Sequence, residues 1–214
     1  MSAESLKLQA ESLKRMAERR PFLKKSTGIN YFVLPKVYQG STDTELLCSV
    51  LDLKKGEDLW DIGTGTGFVA LYAKKHGAHY VLATDKNPAA VANAKRNSSF
   101  LNLNIEVRRE DVFGGIKKKF DVIAFNPPFT DHQAKRSHEI SFWDAGHVSV
   151  KKFLKHLPEH LREGGRGFIC WSSFGDTRKI KRLARVYGLT PLEVGKRKGK
   201  NGFTYYVYKL NSNG

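Results

Sequence analysis

The sequence predicts an α/β fold, a mainly parallel sheet with helices on both faces. Three observations predict it. Short apolar runs alternate with longer amphipathic stretches from residue 58 onward. One such run, Asp58-Leu59-Trp60, enters a glycine turn, Asp61-Ile62-Gly63-Thr64-Gly65-Thr66-Gly67, and leaves it as Phe68-Val69-Ala70-Leu71-Tyr72-Ala73. That reads as strand, turn, helix. The next strand, Tyr80-Val81-Leu82-Ala83-Thr84, ends in Asp85, about 20 residues past the glycines, where a doubly wound fold places a ribose-binding acid.

Taken in order, residues 3–20 read as an amphipathic helix. Leu6, Ala10, Leu13 and Ala17 recur at i, i+4, i+7 and i+11, while Lys7, Lys14, Arg15, Arg19 and Arg20 charge the other surfaces. Pro21 ends the pattern, and docking on the core is the expected role. Residues 22–40 hold two short apolar runs, around Phe22-Leu23 and Tyr31-Phe32-Val33-Leu34, with Gly28-Ile29-Asn30 as the turn between them. A small hairpin or extended cover is expected there. Ser41 or Thr42 can cap a helix over 43–52, whose Leu46, Leu47, Val50 and Leu51 form a core stripe.

Seven strands follow, over 58–62, 80–85, 104–108, 120–126, 167–172, 190–195 and 203–210. Helices are expected over 67–76, 88–98, 148–162 and 176–187. Gly77, Gly164-Gly165 and Gly188 stand at helix ends or turns. The loop 195–202 is short enough for a hairpin, so the last strand should run antiparallel. There is no internal repeat and no second domain.

Composition narrows the class. The 214 residues suit one domain with a small appendage, and 40% apolar content is enough for a core. No run approaches the roughly 20 apolar residues of a membrane helix, and the N-terminus lacks a signal-peptide core. Cys48 and Cys170 lie in apolar runs and read as buried thiols of a reducing cytoplasm. The His residues form no metal spacing; His156 and His160 read as a solvated pair. The net charge of +16 is uneven. Residues 1–40 carry 8 Lys/Arg against 3 acids, residues 178–214 carry 10 against 1, and the middle carries 19 against 17. Basic ends on a nearly neutral core suit a polyanionic partner such as RNA, or solubility alone.

The fourth strand, Phe120-Asp121-Val122-Ile123-Ala124-Phe125, runs into Asn126-Pro127-Pro128-Phe129. With the glycine turn and Asp85, this resembles a class I S-adenosylmethionine (SAM) methyltransferase of the Asn-Pro-Pro-aromatic type. Among these, the glutamine methyltransferases of the HemK/PrmC type are most similar. Tyr38, Asp43 and Thr44 fit their Tyr-x-Pro-x-x-Asp-Ser/Thr segment, and Asp111-Val112-Phe113 is similar to their Asp-Leu-Phe. Gly40, Phe129 and Ala145 depart from that pattern, which usually has Pro, Tyr and an unbroken Gly-Gly there. The resemblance covers residues 38 to 175. It implies a Rossmann-like sheet of strand order 3-2-1-4-5-7-6 and a methyltransferase domain over 41–214, after a basic helix and cover over 1–40.

The resemblance also implies roles. Asp61, Gly63, Thr64, Gly65 and Gly67 would lie beside the methionine part of SAM, and Asp85 would accept from the ribose hydroxyls. Asp111 would accept from the adenine amino group, with Val112 and Phe113 in the apolar wall. Tyr38, Asp43 and Thr44 line the SAM or substrate pocket, or else cap and pack. Methyl transfer from a sulfonium is an in-line displacement, so alignment is the main requirement. Two prolines after a central strand hold the backbone so that the Asn126 oxygen and the Pro127 carbonyl can point at one spot. A planar NH₂ group can donate to both. Phe129 offers a flat face, and Pro128 stands beside it. A glutamine amide of a translation factor or ribosomal protein fits this clamp, and so does the exocyclic amine of adenine or guanine in RNA. A binding module without catalysis is a third reading. No metal is called for, no membrane partner is expected, and the oligomeric state is open. Thr130 to Val148, with Asp131, His132, His138, Glu139, Phe142, Trp143, Asp144 and His147, is long for a connection and reads as a lid, an acceptor loop or a mobile segment.

Overall fold

The computed structural model of the chain describes residues 11, 14–133, 139 and 143–212. The expected positions Leu6, Ala10, Leu13, His138 and Phe142 lie outside them. Residues 14–18 are helical, with Met16 buried. The Lys36 N–H donates to the Met16 carbonyl at 3.0 Å. Arg19, read as surface charge, instead donates to the carbonyls of Leu34 and Val37.

Strands β1 (Phe22–Ser26) and β2 (Ile29–Val33) form an antiparallel hairpin. Its turn is Thr27-Gly28, not Gly28-Ile29-Asn30, because Ser26 pairs directly with Ile29 and Ile29 is buried as a strand residue. Helix α1 (Thr42–Val50) follows, then β3 (Leu59–Ile62), α2 (Phe68–Lys75), β4 (Val81–Asp85), α3 (Pro88–Phe100) and β5 (Glu106–Arg109). The second half holds β6 (Phe120–Phe125), α4 (Val148–His160), β7 (Leu161–Ser172), α5 (Thr177–Val186), β8 (Leu189–Lys198) and β9 (Thr204–Ser212).

Among the described residues, β3 to β9 form one seven-stranded sheet of order β5-β4-β3-β6-β7-β9-β8. This is the expected order, with β9 antiparallel to both neighbours. Two strand expectations fall short. The last hairpin is tighter than 195–202, since Gly195 to Lys198 pair with Val207 to Thr204 and belong to β8. Gly164 and Gly165 lie inside β7, where the pairing shifts between Phe120 and Val122. A Cβ on Gly165 would lie 2.8 Å from the Arg162 carbonyl, so this bulge needs glycine.

The pleat of the central strands sends alternate residues to two cores. Val122, Ala124, Phe168, Cys170 and Val207 meet α1, α2 and the hairpin on one face. Ile123, Phe125, Ile169, Trp171 and Tyr208 meet α4 and α5 on the other. Cys48 and Cys170 are buried free thiols. His160 is not solvated: its ring is buried, with Nε2 2.8 Å from the Ile116 carbonyl. No helix among the described residues is long and apolar enough to cross a membrane.

The hairpin is fixed to the sheet domain by two buried amides of α3. Asn93 donates to the Phe32 carbonyl and accepts from the Leu34 N–H, each at 2.8 Å. Asn97 accepts from the Phe32 N–H at 2.7 Å and donates at 2.8 Å to the carbonyls of Phe32 and Thr66. Asn97 therefore holds cover and glycine turn together. Asn97→Ala leaves buried backbone groups unpaired and should destabilise the fold by about 2–4 kcal/mol. Urea unfolding checks this; a change within about 0.5 kcal/mol, the size of an ordinary surface substitution, would assign the amide no such role.

Candidate active site

Three neighbouring parallel strands end at one level. Ile62 of β3 pairs with Thr84 of β4 and with Phe125 of β6, so Asp61, Asp85 and Asn126 gather at the carboxyl edge of the sheet. That is the edge where open α/β sheets bind ligands. A cleft of about 810 Å³, its open mouth included, lies there. Of the expected residues, Tyr38, Thr44, Asp61, Gly63, Thr64, Gly65, Asp85, Asp111, Val112, Asn126 and Pro128 line it. Gly67, Pro127 and Phe129 are not among its lining.

The glycine turn brings its backbone to the cleft. Gly63 has φ +65°, and a Cβ there would lie 3.0 Å from the Phe125 ring. The Gly65 N–H donates to Asp85 Oδ2 at 3.0 Å, and the Asn87 N–H donates to Asp85 Oδ1 at 2.8 Å. Asp85 is thus aimed by backbone from both sides, and burial raises its carboxyl above the usual range. Gly67 has another task. It starts α2 at φ +85°, and a Cβ there would lie 3.2 Å from Ala94 Cα, so it admits the close approach of α3.

Asp61 is buried beneath the turn. Its Oδ2 accepts from Thr64 Oγ1 at 2.5 Å and from the Ala70 N–H at 3.2 Å. Burial pushes its carboxyl up to about 7, and Asp85 adds to the rise, against the lowering effect of the two hydrogen bonds.

One side wall comes from the segment after β5. The Glu110 N–H donates to the Asp85 carbonyl at 3.2 Å, and Glu110, Asp111 and Val112 line the cleft. Asp111 forms an ion pair with Lys152 of α4. Val112 is buried at φ +60°, an unusual conformation for a β-branched residue. Phe113 turns away from the cleft. It stacks on His160 at 4.2 Å and on Phe153 at 5.9 Å, because the core under α4 gives that ring a full apolar contact.

The opposite wall joins two distant segments. Asn126 donates through Nδ2 to Asp43 Oδ2 at 2.8 Å and to Thr44 Oγ1 at 3.2 Å. Asn126 Oδ1 is buried and has no hydrogen-bond partner. Asp43 Oδ1 accepts from Ser41 Oγ at 2.7 Å, from the Ser41 N–H at 3.2 Å and from the Tyr38 hydroxyl at 3.0 Å. Burial and Asp43 raise the Tyr38 hydroxyl far above its ordinary range. Ser41, expected as a helix cap, makes no cap bond to α1, since its side chain is committed to Asp43. Phe129 packs against Trp171 at 6.0 Å and Tyr205 at 6.1 Å.

The long connection after Phe129 is partly structural. Asp144 accepts from the Ser149 and Val150 N–H groups and so caps α4. Asp131 accepts from the Gly146 N–H at 2.6 Å and pairs with Lys179 at 3.1 Å. His132 packs edge-on against Trp143, and burial lowers the His147 imidazole below its usual range. Lys86, Glu110 and Ser149 also line the cleft and were not singled out in the sequence. The pairing of Asp43 with Asn126 crosses 83 residues and has no local sequence signal.

The Asp61 carboxyl gives stability a definite pH dependence. Its folded value of about 7 lies above the unfolded value of about 3.9. The folded chain therefore binds this proton more tightly. The corresponding stabilisation is complete below pH about 4 and is lost as pH rises to about 7. Asp61→Asn lacks this titration. Its stability relative to the parent should rise by about 2–4 kcal/mol between those limits, measured by urea unfolding. A difference that stays constant with pH would contradict a raised Asp61.

The donor set fits a bound nucleoside with an amino-acid tail. Backbone glycines leave room, Asp85 is aimed by two amides, and Asn126, a lining residue, keeps a buried acceptor oxygen without a partner. The family model of the methyltransferase small domain matches residues 32–201. A protein of Methanocaldococcus jannaschii named for protein N5-glutamine methylation is 36% identical over 163 residues, 73% of this chain and 83% of that one. A release factor glutamine methyltransferase of Cereibacter sphaeroides is 35% identical over 149 residues, 63% of this chain and 53% of that one. A ribosomal RNA small subunit methyltransferase C of Haemophilus influenzae is 31% identical over 150 residues, 68% of this chain and 42% of that one. The chain thus spans about half the length of the last two. A T. thermophilus 16S rRNA N2 methyltransferase, solved with AdoMet and guanosine, has the same fold at TM-score 0.69 and 20% identity, over 89% of this chain and 50% of that one. The chain belongs to the methyltransferase small domain family and is an S-adenosylmethionine-dependent methyltransferase.

Proposed function

We propose that the enzyme methylates a planar NH₂ nitrogen, the side-chain amide of a glutamine in a protein of translation. One observation carries the planar nitrogen. Both hydrogens of the Asn126 amide are spent on Asp43 and Thr44, so its oxygen is the end left without a partner, buried in a residue that lines the cleft. A group that donates a hydrogen bond completes it, and a buried acceptor left unpaired costs about 1–3 kcal/mol. An amide or aryl NH₂ has one such hydrogen to give while its nitrogen faces the methyl donor. The relatives named for glutamine methylation support the amide over other NH₂ groups.

SAM, when bound, supplies a methyl group on a positively charged sulfur. In this reading the turn from Asp61 to Gly65 holds its amino-acid tail, Asp85 its ribose, and Asp111 with Val112 its base. Asn126 orients the acceptor, beside Pro128. Phe129 stands behind Pro128 and supports the clamp. The basic ends and the ribosomal RNA relative favour a second reading, the exocyclic amine of an RNA base. Transfer of a radiolabelled methyl group into a glutamine-containing release-factor fragment, against total RNA, separates the two. Label in RNA alone would replace the first reading by the second.

Asn126→Ala should leave SAM affinity nearly intact and lower single-turnover methyl transfer by about 100- to 1,000-fold, the usual scale for losing one oriented group. A folded variant that binds SAM and transfers at the parent rate would remove the clamp.

Asp43 decides which end of the Asn126 amide is left without a partner. In Asp43→Asn, the fixed Ser41 N–H keeps the new amide oxygen on its own side. The new NH₂ then faces Asn126, which must turn and leave its NH₂, not its oxygen, as the free end. Transfer should fall by about 100-fold, with the SAM dissociation constant little changed. In the pair Asp43→Asn with Asn126→Asp, donor and acceptor are exchanged and an oxygen is again the free end. That pair should regain at least about tenfold in rate. A double variant no faster than Asp43→Asn would show that Asp43 does not act through Asn126.

A further inference from the structure

The cations of this chain are not paired alike. At the end of the sheet away from the cleft several of them are matched, although Lys54, Lys55, Lys117 and Lys119 have no ion pair among the described residues. Arg162 bridges Asp58 and Asp121 at 2.7 and 2.6 Å, Lys118 reaches Asp58 at 3.3 Å, and Arg166 holds Asp52 and Glu57. Along α5 the pattern differs. Arg178, Lys181, Arg182 and Arg185 recur at i, i+3, i+4 and i+7, one stripe of a helix whose Ile180 and Ala184 are buried. Lys181 joins this stripe to the edge strand, 3.6 Å from Glu193 of β8 and 5.2 Å from the Tyr208 ring centroid.

The register of the last hairpin extends the stripe. Lys196 lies opposite Tyr206 and Lys198 opposite Thr204. Tyr206 and Tyr208 belong to the core face covered by α5, whereas Tyr205 and Val207 belong to the other. Lys196 and Lys198 therefore flank α5, and Arg197 points to the opposite face. Lys196 Nζ lies 5.6 Å from the half-buried Tyr206 ring. Arg178, Arg182, Lys196, Lys198 and Lys200 are exposed, and no acidic partner is found for them among the described residues. Glu193 is the one acid in residues 178–214.

The tip of the hairpin lies at the same edge of the sheet as the cleft. The Ser173 N–H at the end of β7 donates to the Thr204 carbonyl at 2.7 Å. Phe203 packs on Phe174 at 4.9 Å, and Tyr205 packs on Phe129 at 6.1 Å. The tip of the basic hairpin thus stands beside the segment that carries Asn126.

We propose that α5 and the β8–β9 hairpin form an RNA-docking face. Its exposed cations meet phosphates, and Tyr206 offers a ring between two of them. Unpaired Lys and Arg in an extended row with an interleaved aromatic form the arrangement that binds a nucleic-acid backbone without reading its sequence. The face is separate from Asn126, so it holds whether the methylated nitrogen belongs to a glutamine or to a base.

The test uses the full chain and a fluorescein-labelled RNA hairpin of about 16 base pairs, followed by anisotropy from about 50 to 200 mM KCl. The variant R178Q/R182Q/K196Q/K198Q is compared with a control of equal charge change, K54Q/K55Q/K75Q/K95Q, whose lysines lie elsewhere on the surface. With four phosphates no longer neutralised, the slope of log affinity against log salt should become shallower by roughly 3 in the face variant, and affinity near 100 mM should fall at least tenfold. The control should keep most of the parent slope. SAM affinity, read by calorimetry, should be unchanged in both, which reports folding. If the quadruple variant fails to fold, R178Q/R182Q and K196Q/K198Q are measured separately, each expected to give about half the slope change. Equal losses in face variant and control would assign the binding to total charge and overturn the proposal. So would a parent that does not bind the RNA near 100 mM KCl. Polyglutamate that binds the parent as tightly as RNA, and loses as much in the face variant, would make this a site for an acidic protein instead.

Discussion

The hydrogen bond from Asn126 to Asp43 fixes the orientation of an amide that lines the cleft, because it decides which end of that amide is left without a partner. An amide has one acceptor end and one donor end, and a rotation by half a turn exchanges them. Here the donor end is held by a carboxylate that cannot donate. The carboxylate is itself held by the Ser41 backbone and the Tyr38 hydroxyl. Each contact removes one alternative, and the remaining state leaves the amide oxygen without a partner. The order of the segment 38–44 is therefore part of the site.

The sheet supplies the rest of the alignment. Its parallel strands end together, and their pleat directs side chains alternately into two cores. Both faces of the central strands are filled, so the strand ends have little freedom to shift. Asp61, Asp85 and Asn126 inherit that rigidity. At Gly63 and Val112, left-handed backbone brings main chain or a short side chain against the cleft. Asp61 illustrates the cost of this arrangement. A carboxyl buried under a glycine turn, near a second carboxylate, is held by only two hydrogen bonds and keeps its proton to near neutral pH.

Much of this was legible in the chain itself. The alternation of strand and helix, the glycine turn and Asp85 depend on local pattern, and they stand where the pattern put them. The strand order followed from resemblance, and the antiparallel end from a short loop. What was missed depends on partners far away in sequence. Ser41 has the composition of a cap, but Asp43 competes for its hydroxyl. Gly67 looks like part of a ligand loop, but Ala94 of another helix sets its requirement. His160 looks solvated until Phe113 and Trp60 enclose its ring beside the Ile116 carbonyl. Phe113 and Phe129 are apolar beside a cleft, and each is drawn into the larger contact behind it. Side-chain direction is decided by packing, which no short motif encodes.

The reversal of β9 has a consequence for how this domain can diversify. At the carboxyl edge of a parallel sheet, each loop ordinarily connects a strand to the helix that follows, and changing its length disturbs a crossover. Residues 199–203 reach that edge by another route, as a hairpin between two antiparallel strands at the border of the sheet. No helix hangs from this tip, and it contributes nothing to the lining around Asp61 and Asp85. Its length and charge can therefore drift without disturbing the donor site, while the tip still stands beside Phe129. The domain has a peripheral adjustable arm next to a fixed centre, an arrangement in which recognition of new partners can be acquired separately from the transfer reaction.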